Sequence, residues 1–229
     1  MKLFVLIVLS TLPFAASLLY FLPSEPHPLF MYLLGATKIF LFLSPILFWK
    51  HLKLPGSWKN FLSEVNCSAP KRQILLGVLI GFIMSVPVLI LFEWLPLDIR
   101  SEALLRISKK ISLLNIKEHY FLYGIFLCLI HSLLEEFYWR FFIFNAWKKV
   151  KFSSKAIPHL IAGFAFTLHH FSVTINYFDL KLGLLLGLGV WIAGIIWSFT
   201  YEKEKSLQAV WVSHILIDIA ILSIGFKAL

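Results

Sequence analysis

Four ionisable side chains, His131, Glu135, Glu136 and Arg140, crowd into ten positions of a 229-residue chain. His169 and His170 follow, and then His214 and Asp218. Carboxylates and imidazoles take and return protons near neutral pH, and the same groups ligate divalent metals. On a helix, Glu136 and Arg140 stand at i,i+4 and neutralise one another. Glu135, turned about 100° from its neighbour, is left without a local cation. A carboxylate so placed in a low dielectric is suited to general-base work. His214 and Asp218 also stand at i,i+4 and so share a face. If these segments converge, the site has a base, hydrogen-bonding imidazoles, a second carboxylate and a set of metal ligands.

The elements that must position these groups are strongly apolar. Hydrophobic residues make up 59% of the chain and charged residues 14%, with a mean hydropathy of +0.84, a composition outside the range of soluble domains. A bilayer-spanning helix needs about 20 mostly apolar residues. Seven stretches qualify: 3–22, 29–49, 73–97, 119–147, 156–178, 182–200 and 206–226. The expected fold is all-α, a multi-pass transmembrane helical bundle of about seven spans. The longest loops, 50–72 and 98–118, are too short for a soluble catalytic or ligand-binding domain, so the chemistry belongs among the helices. An ionisable group at mid-bilayer costs about 2.5–3.5 kcal/mol even on the lenient insertion scale, so such groups face the bundle interior and mark function. They concentrate in spans four, five and seven. The chain therefore reads as supporting helices over 1–118 followed by a catalytic core over 119–229, in the last four spans.

Within the supporting part, Leu104, Ile107, Ile111 and Leu114 recur at helical spacing with Arg106, Lys109 and Lys110 between them, as on an interfacial amphipathic helix. Gly77/Gly81 and Gly183/Gly187 have the spacing that lets helix backbones approach closely. Trp49, Trp94 and Trp147 lie near span ends and read as interface anchors. His131, His159 and His169 read as packing residues or as partners of backbone hydrogen bonds, and the Glu136/Arg140 pair as structural support.

The excess of 21 Lys and Arg over 12 Asp and Glu is a topological signal, because cytoplasmic loops collect basic residues. No nucleic-acid motif accompanies it, so the surroundings are membrane lipids. With seven spans, the N-terminus and loops 50–72, 148–155 and 201–205 share the more basic side, which predicts a cytoplasmic N-terminus. The small-residue stretch Ala15–Ala16–Ser17 resembles a signal-peptide end, but apolar character continues through Leu22, and the first span is expected to be retained. With only Cys67 and Cys128 present, neither a disulfide nor a thiol metal site is expected.

In order and spacing, residues 119–222 resemble the CAAX prenyl protease and bacteriocin-processing family of intramembrane proteases. Glu-Glu-x-x-x-Arg is matched by Glu135-Glu136-Phe137-Tyr138-Trp139-Arg140. Phe-x-x-x-His is matched by Phe166 to His170, which selects His170 over His169. His-x-x-x-Asn/Asp is matched by His214 to Asp218, after the family-like run from Tyr201 to Leu207. The resemblance implies an endopeptidase acting on a peptide or membrane-protein substrate. In it Glu135 activates water with His170, and His214 and Asp218 position water or stabilise the oxyanion.

Asp218 stands where members closest to the prenyl proteases have Asn. An ionised carboxylate repels an oxyanion, so Asp218 is expected instead to orient His214. No cofactor is certain. A zinc-class divalent ion held by Glu135, His170 and His214 would need its ligands assembled across helices, since His-Glu-x-x-His is absent. Compactness and the family's spread point to a bacterial cytoplasmic membrane. The competing readings are a proton-coupled transporter, which also buries carboxylates and histidines, and a non-catalytic scaffold or immunity protein.

Overall fold

The computed structural model describes residues 2–21, 28–55, 57–65 and 71–229; Cys67 lies outside them. Among the described residues there are no strands and nine helices: α1 Lys2–Phe21, α2 Pro28–Phe48, α3 Phe61–Val65, α4 Lys71–Trp94, α5 Leu97–Leu113, α6 Tyr120–Trp147, α7 Ile157–Tyr177, α8 Leu180–Glu204 and α9 Gln208–Phe226. Five of them, represented by Lys2–Leu19, α4, α6, α8 and α9, are long and apolar enough to cross a membrane, and Gly35–Phe48 is a shorter apolar stretch. α7 is as long, but His159, His169 and His170 make it more polar. Leu75, Leu79, Phe82 and Ile83 of α4 point outward, the condition of a helix face whose solvent is hydrocarbon. The chain is an all-α integral membrane protein.

It divides into two compact units, Met1–Cys67 with Leu134–Leu207, and Ser68–Leu133 with Gln208–Leu229, so that α6 belongs to both. In the second unit α4 packs along α9 at the predicted glycines. A Cβ on Gly77 would sit 2.5 Å from the Ala209 carbonyl oxygen, and one on Gly81 2.6 Å from the Leu216 side chain. Tyr120 donates to the Leu222 carbonyl at 2.8 Å, and Trp211 donates to Ser132 at 3.2 Å. α5 is the expected amphipathic helix, burying Ala103 and Ile111 while Leu97 and Leu105 stay exposed.

The first unit is built on α7. Two residues separate α7 from α8, and Asp179 caps α8 by accepting from the Leu182 amide at 2.8 Å. The second predicted glycine pair then brings the helices together: a Cβ on Gly183 would lie 2.8 Å from the Ile175 Cα, and one on Gly187 2.1 Å from the Phe171 ring. α1 packs on α7, where Ser172 donates to Ser17 at 2.8 Å. α6 is tied to α1 by Tyr138 donating to the Leu9 carbonyl at 2.5 Å and by Trp147 Nε1 donating to Ser10 at 3.0 Å. Trp147 and Trp49 are therefore buried, Trp49 stacking on Phe141 at 4.8 Å. Both depart from the expected interface anchors because the unit offers partners that lipid does not, Phe141 to Trp49 and Ser10 to Trp147; Trp94 is exposed as an anchor should be.

At one end of this unit His159 is locked between Ser198 (Nδ1 to Oγ, 2.9 Å) and Glu202 (Nε2 to Oε2, 2.9 Å), with its ring against Phe199 and Phe144. Glu202 also pairs with Lys148 at 2.5 Å. Lys149 donates to the Lys53 carbonyl at the same end. The loops after α2, α6 and α8 thus meet at this end.

The short helix α3, entered through the turn Trp58–Asn60 capped by Ser57, docks onto that end. Phe61 lies 4.3 Å from Phe137, and the Glu64 carbonyl accepts from Ser206 Oγ (3.1 Å) and the Leu207 amide (3.2 Å). The Glu64 carboxyl meets the Tyr201 hydroxyl, which itself accepts from Asn145 Nδ2 at 3.0 Å. Burial pushes this carboxyl up from 4.5 to about 7, against the opposing influence of Tyr201 and Lys205. The docked form therefore binds a proton that the released form gives up in the ordinary carboxylate range. Docking is fullest below that range and weakens as pH rises through about 7. Hydrogen exchange of residues 57–65, corrected for intrinsic rates, should quicken several-fold between pH 5 and 8 in wild type, and Glu64→Gln should flatten the dependence. A wild-type response as flat as that of Glu64→Gln contradicts this.

Candidate active site

α6 carries the acidic pair through an unusual stretch of helix. Residues Phe126–His131 and Phe137–Phe144 wind as π-helix on either side of Ser132–Glu136. The i→i+5 pattern is rare and gathers at functional sites, because it re-aims side chains relative to an α-helical register. Every residue from Phe137 to Phe144 is buried.

Glu136 and Arg140 form the expected ion pair, with Nη1 to Oε1 at 3.0 Å. The pair is almost completely removed from solvent, at 0% and 2% exposure. The guanidinium carbon lies 4.3 Å from the Phe166 ring centroid and 4.8 Å from that of Trp197. Arg140 Nη2 is buried without a hydrogen-bond acceptor, so these π faces stabilise the cation where oxygen does not. The pair thereby fastens α6 to α7 and α8.

Glu135 points into a different environment. Its Oε1 lies 3.3 Å from His169 Nε2, and the carboxylate is 5% exposed. The His169 ring lies parallel to Trp139, with 2° between planes and centroids 5.6 Å apart. Its Nδ1 is buried without a hydrogen-bond partner. His170 turns its Nδ1 to the Phe166 carbonyl of its own helix at 3.1 Å. Donation there leaves the lone pair on Nε2, the usual way in which a backbone carbonyl orients an imidazole for ligation or base chemistry. The two imidazole centroids are 4.0 Å apart.

The ligating atoms of Glu135, His169 and His170 all lie within 4.8 Å of one another. One carboxylate oxygen and two imidazole nitrogens form a donor set that fits a zinc-class divalent cation. His169, expected to pack or to hydrogen-bond to the backbone, lies against the Glu135 carboxylate. The signal in the sequence was its adjacency to His170: neighbours on a helix diverge by about 100°, so one acidic group lying between those directions meets both.

The remaining predicted groups stand in the second unit. On α9, His214 Nε2 lies 3.8 Å from Asp218 Oδ1, within ion-pair distance but longer than a hydrogen bond. His214 is buried and Asp218 partly so. The structure thus brings together Glu135, His169 and His170 in one unit, and His214 with Asp218 in the other.

Residues 117–220 match the model of the Rce1-like family, described as type II CAAX prenyl endopeptidase. The matched span contains all six residues expected from the motifs: Glu135, Glu136, Arg140, His170, His214 and Asp218. No curated protein and no solved structure matches the chain.

Proposed function

We propose, from the match of residues 117–220 to the Rce1-like family model, that the chain is an intramembrane endopeptidase in which Glu135 activates the attacking water. The observation that carries this reading is the buried Glu135 carboxylate held 3.3 Å from His169, with His170 beside it, inside a chain of membrane-spanning helices. A buried carboxylate with an imidazole neighbour is a proton acceptor whose conjugate acid has somewhere to pass its proton. Water loses a proton to Glu135 as its oxygen bonds to the scissile carbonyl carbon. The proton then goes to the departing amine as the C–N bond breaks.

His170, whose Nδ1 donates to the Phe166 carbonyl, orients the water or shares its proton. Were a divalent cation bound, Glu135, His169 and His170 would hold it, and it would supply a Lewis acid and a more acidic bound water. The substrate is a peptide or membrane protein, reached from the basic, cytoplasmic face of a bacterial inner membrane.

The imidazole roles are tested in proteoliposomes with a quenched fluorescent peptide ending in a Cys-aliphatic-aliphatic-X sequence, with and without a prenyl group. His170→Gln should lower kcat/KM by about 10²–10⁴-fold, the usual contribution of a positioned acid–base group. His169→Gln, which keeps a hydrogen-bonding amide near Glu135, should lower it less. Undiminished cleavage by His170→Gln would remove His170 from the mechanism.

A further inference from the structure

Three lysines distant in sequence converge at the end of the first unit where its loops meet. Lys149 Nζ donates to the backbone carbonyl of Lys53, and Lys53 itself holds a left-handed conformation (φ 55°) in the turn after α2. The Lys2 ammonium, on the first turn of α1, is brought against the Lys53 ammonium and within electrostatic range of Lys149. Two ammonium groups have only donors to offer one another, so this arrangement is repulsive until an anion with several acceptors sits among them. Among the described residues no ion pair with a carboxylate satisfies any of the three; the carboxylate of Glu202 is taken by Lys148.

Leu3 and Phe4, which follow Lys2 on α1, and Leu47, in the last turn of α2, turn their side chains outward. Positive charge above an outward apolar surface, at the ends of membrane-spanning helices, matches a phosphate joined to acyl chains better than a free ion. We propose that Lys2, Lys53 and Lys149 form a binding site for the headgroup of an anionic phospholipid, whose chains lie along Leu3, Phe4 and Leu47.

The site is tested on the full chain in neutral detergent, by native mass spectrometry during titration with phosphatidylglycerol or phosphatidylcholine. Wild type should retain phosphatidylglycerol preferentially. Each Lys→Gln change should weaken retention about fivefold, and Lys2→Gln/Lys53→Gln/Lys149→Gln together roughly a hundredfold, as expected for three basic residues at a membrane surface. The triple Lys→Arg variant, which keeps the charge, should retain the lipid, and this separates loss of the site from loss of the fold. Excess inorganic phosphate, lacking acyl chains, should leave the lipid bound. Equal retention of both lipids, unchanged retention by the triple Gln variant, or full displacement by inorganic phosphate would each overturn the proposal.

Discussion

Glu135→Gln should abolish hydrolysis while leaving the protein folded. Glutamine has nearly the shape of glutamate, keeps a carbonyl oxygen toward His169, and cannot accept the proton of water. Loss of a positioned general base lowers rates by about 10²–10⁴-fold. Substrate capture should survive, so the variant should bind peptide with an affinity close to that of wild type. If kcat instead changes less than tenfold at matched fold and expression, the base is another residue, and the carboxylate–imidazole geometry serves structure or proton movement.

The second large effect concerns stability. Arg140→Met removes a guanidinium that lies 3.0 Å from Glu136 and against the faces of Phe166 and Trp197. Methionine fills much of the volume but leaves the Glu136 carboxylate, 0% exposed, without its buried counter-ion. Breaking one side of a buried pair costs about 3–5 kcal/mol. Because the guanidinium links three helices, the loss should appear as a lower unfolding midpoint in detergent and as looser packing of α6. The double variant Glu136→Gln/Arg140→Met should recover part of it, since a neutral amide is less costly to bury than an uncompensated charge. Additive rather than partly cancelling effects in this cycle would show that the two residues act independently.

The helices were legible because hydrophobic length is a strong signal. The expected stretches 3–22, 119–147 and 206–226 correspond to Lys2–Phe21, Tyr120–Trp147 and Gln208–Phe226 within a few residues. The glycine pairs were legible for a related reason: a missing Cβ has one main use in a span, and Gly77 and Gly187 show it. The Glu136/Arg140 pair followed from i,i+4 spacing, although its cation–π partners Phe166 and Trp197 come from other helices and no local pattern announces them.

Other features depend on tertiary contact. Nothing in the order of Phe137–Phe144 distinguishes π-helix from α-helix. Trp49 and Trp147 resemble interface anchors in sequence, and only the presence of Phe141 and Ser10 makes them core residues. Glu64 reads as one polar residue of a loop until Tyr201 and Ser206 are placed beside it. His169 was hidden by its own neighbour: spacing from Phe166 favours His170, whereas the direct contact to Glu135 depends on how α6 and α7 are rotated.

The most direct test is to compare membrane-peptide fragments from cells expressing wild type or Glu135→Gln at matched levels, by mass spectrometry of newly formed termini. Termini that vanish in Glu135→Gln and return with the wild-type gene are the predicted result, and their flanking sequences would define the substrate class. Identical termini in the two strains, with Glu135→Gln folded and abundant, would contradict intramembrane proteolysis.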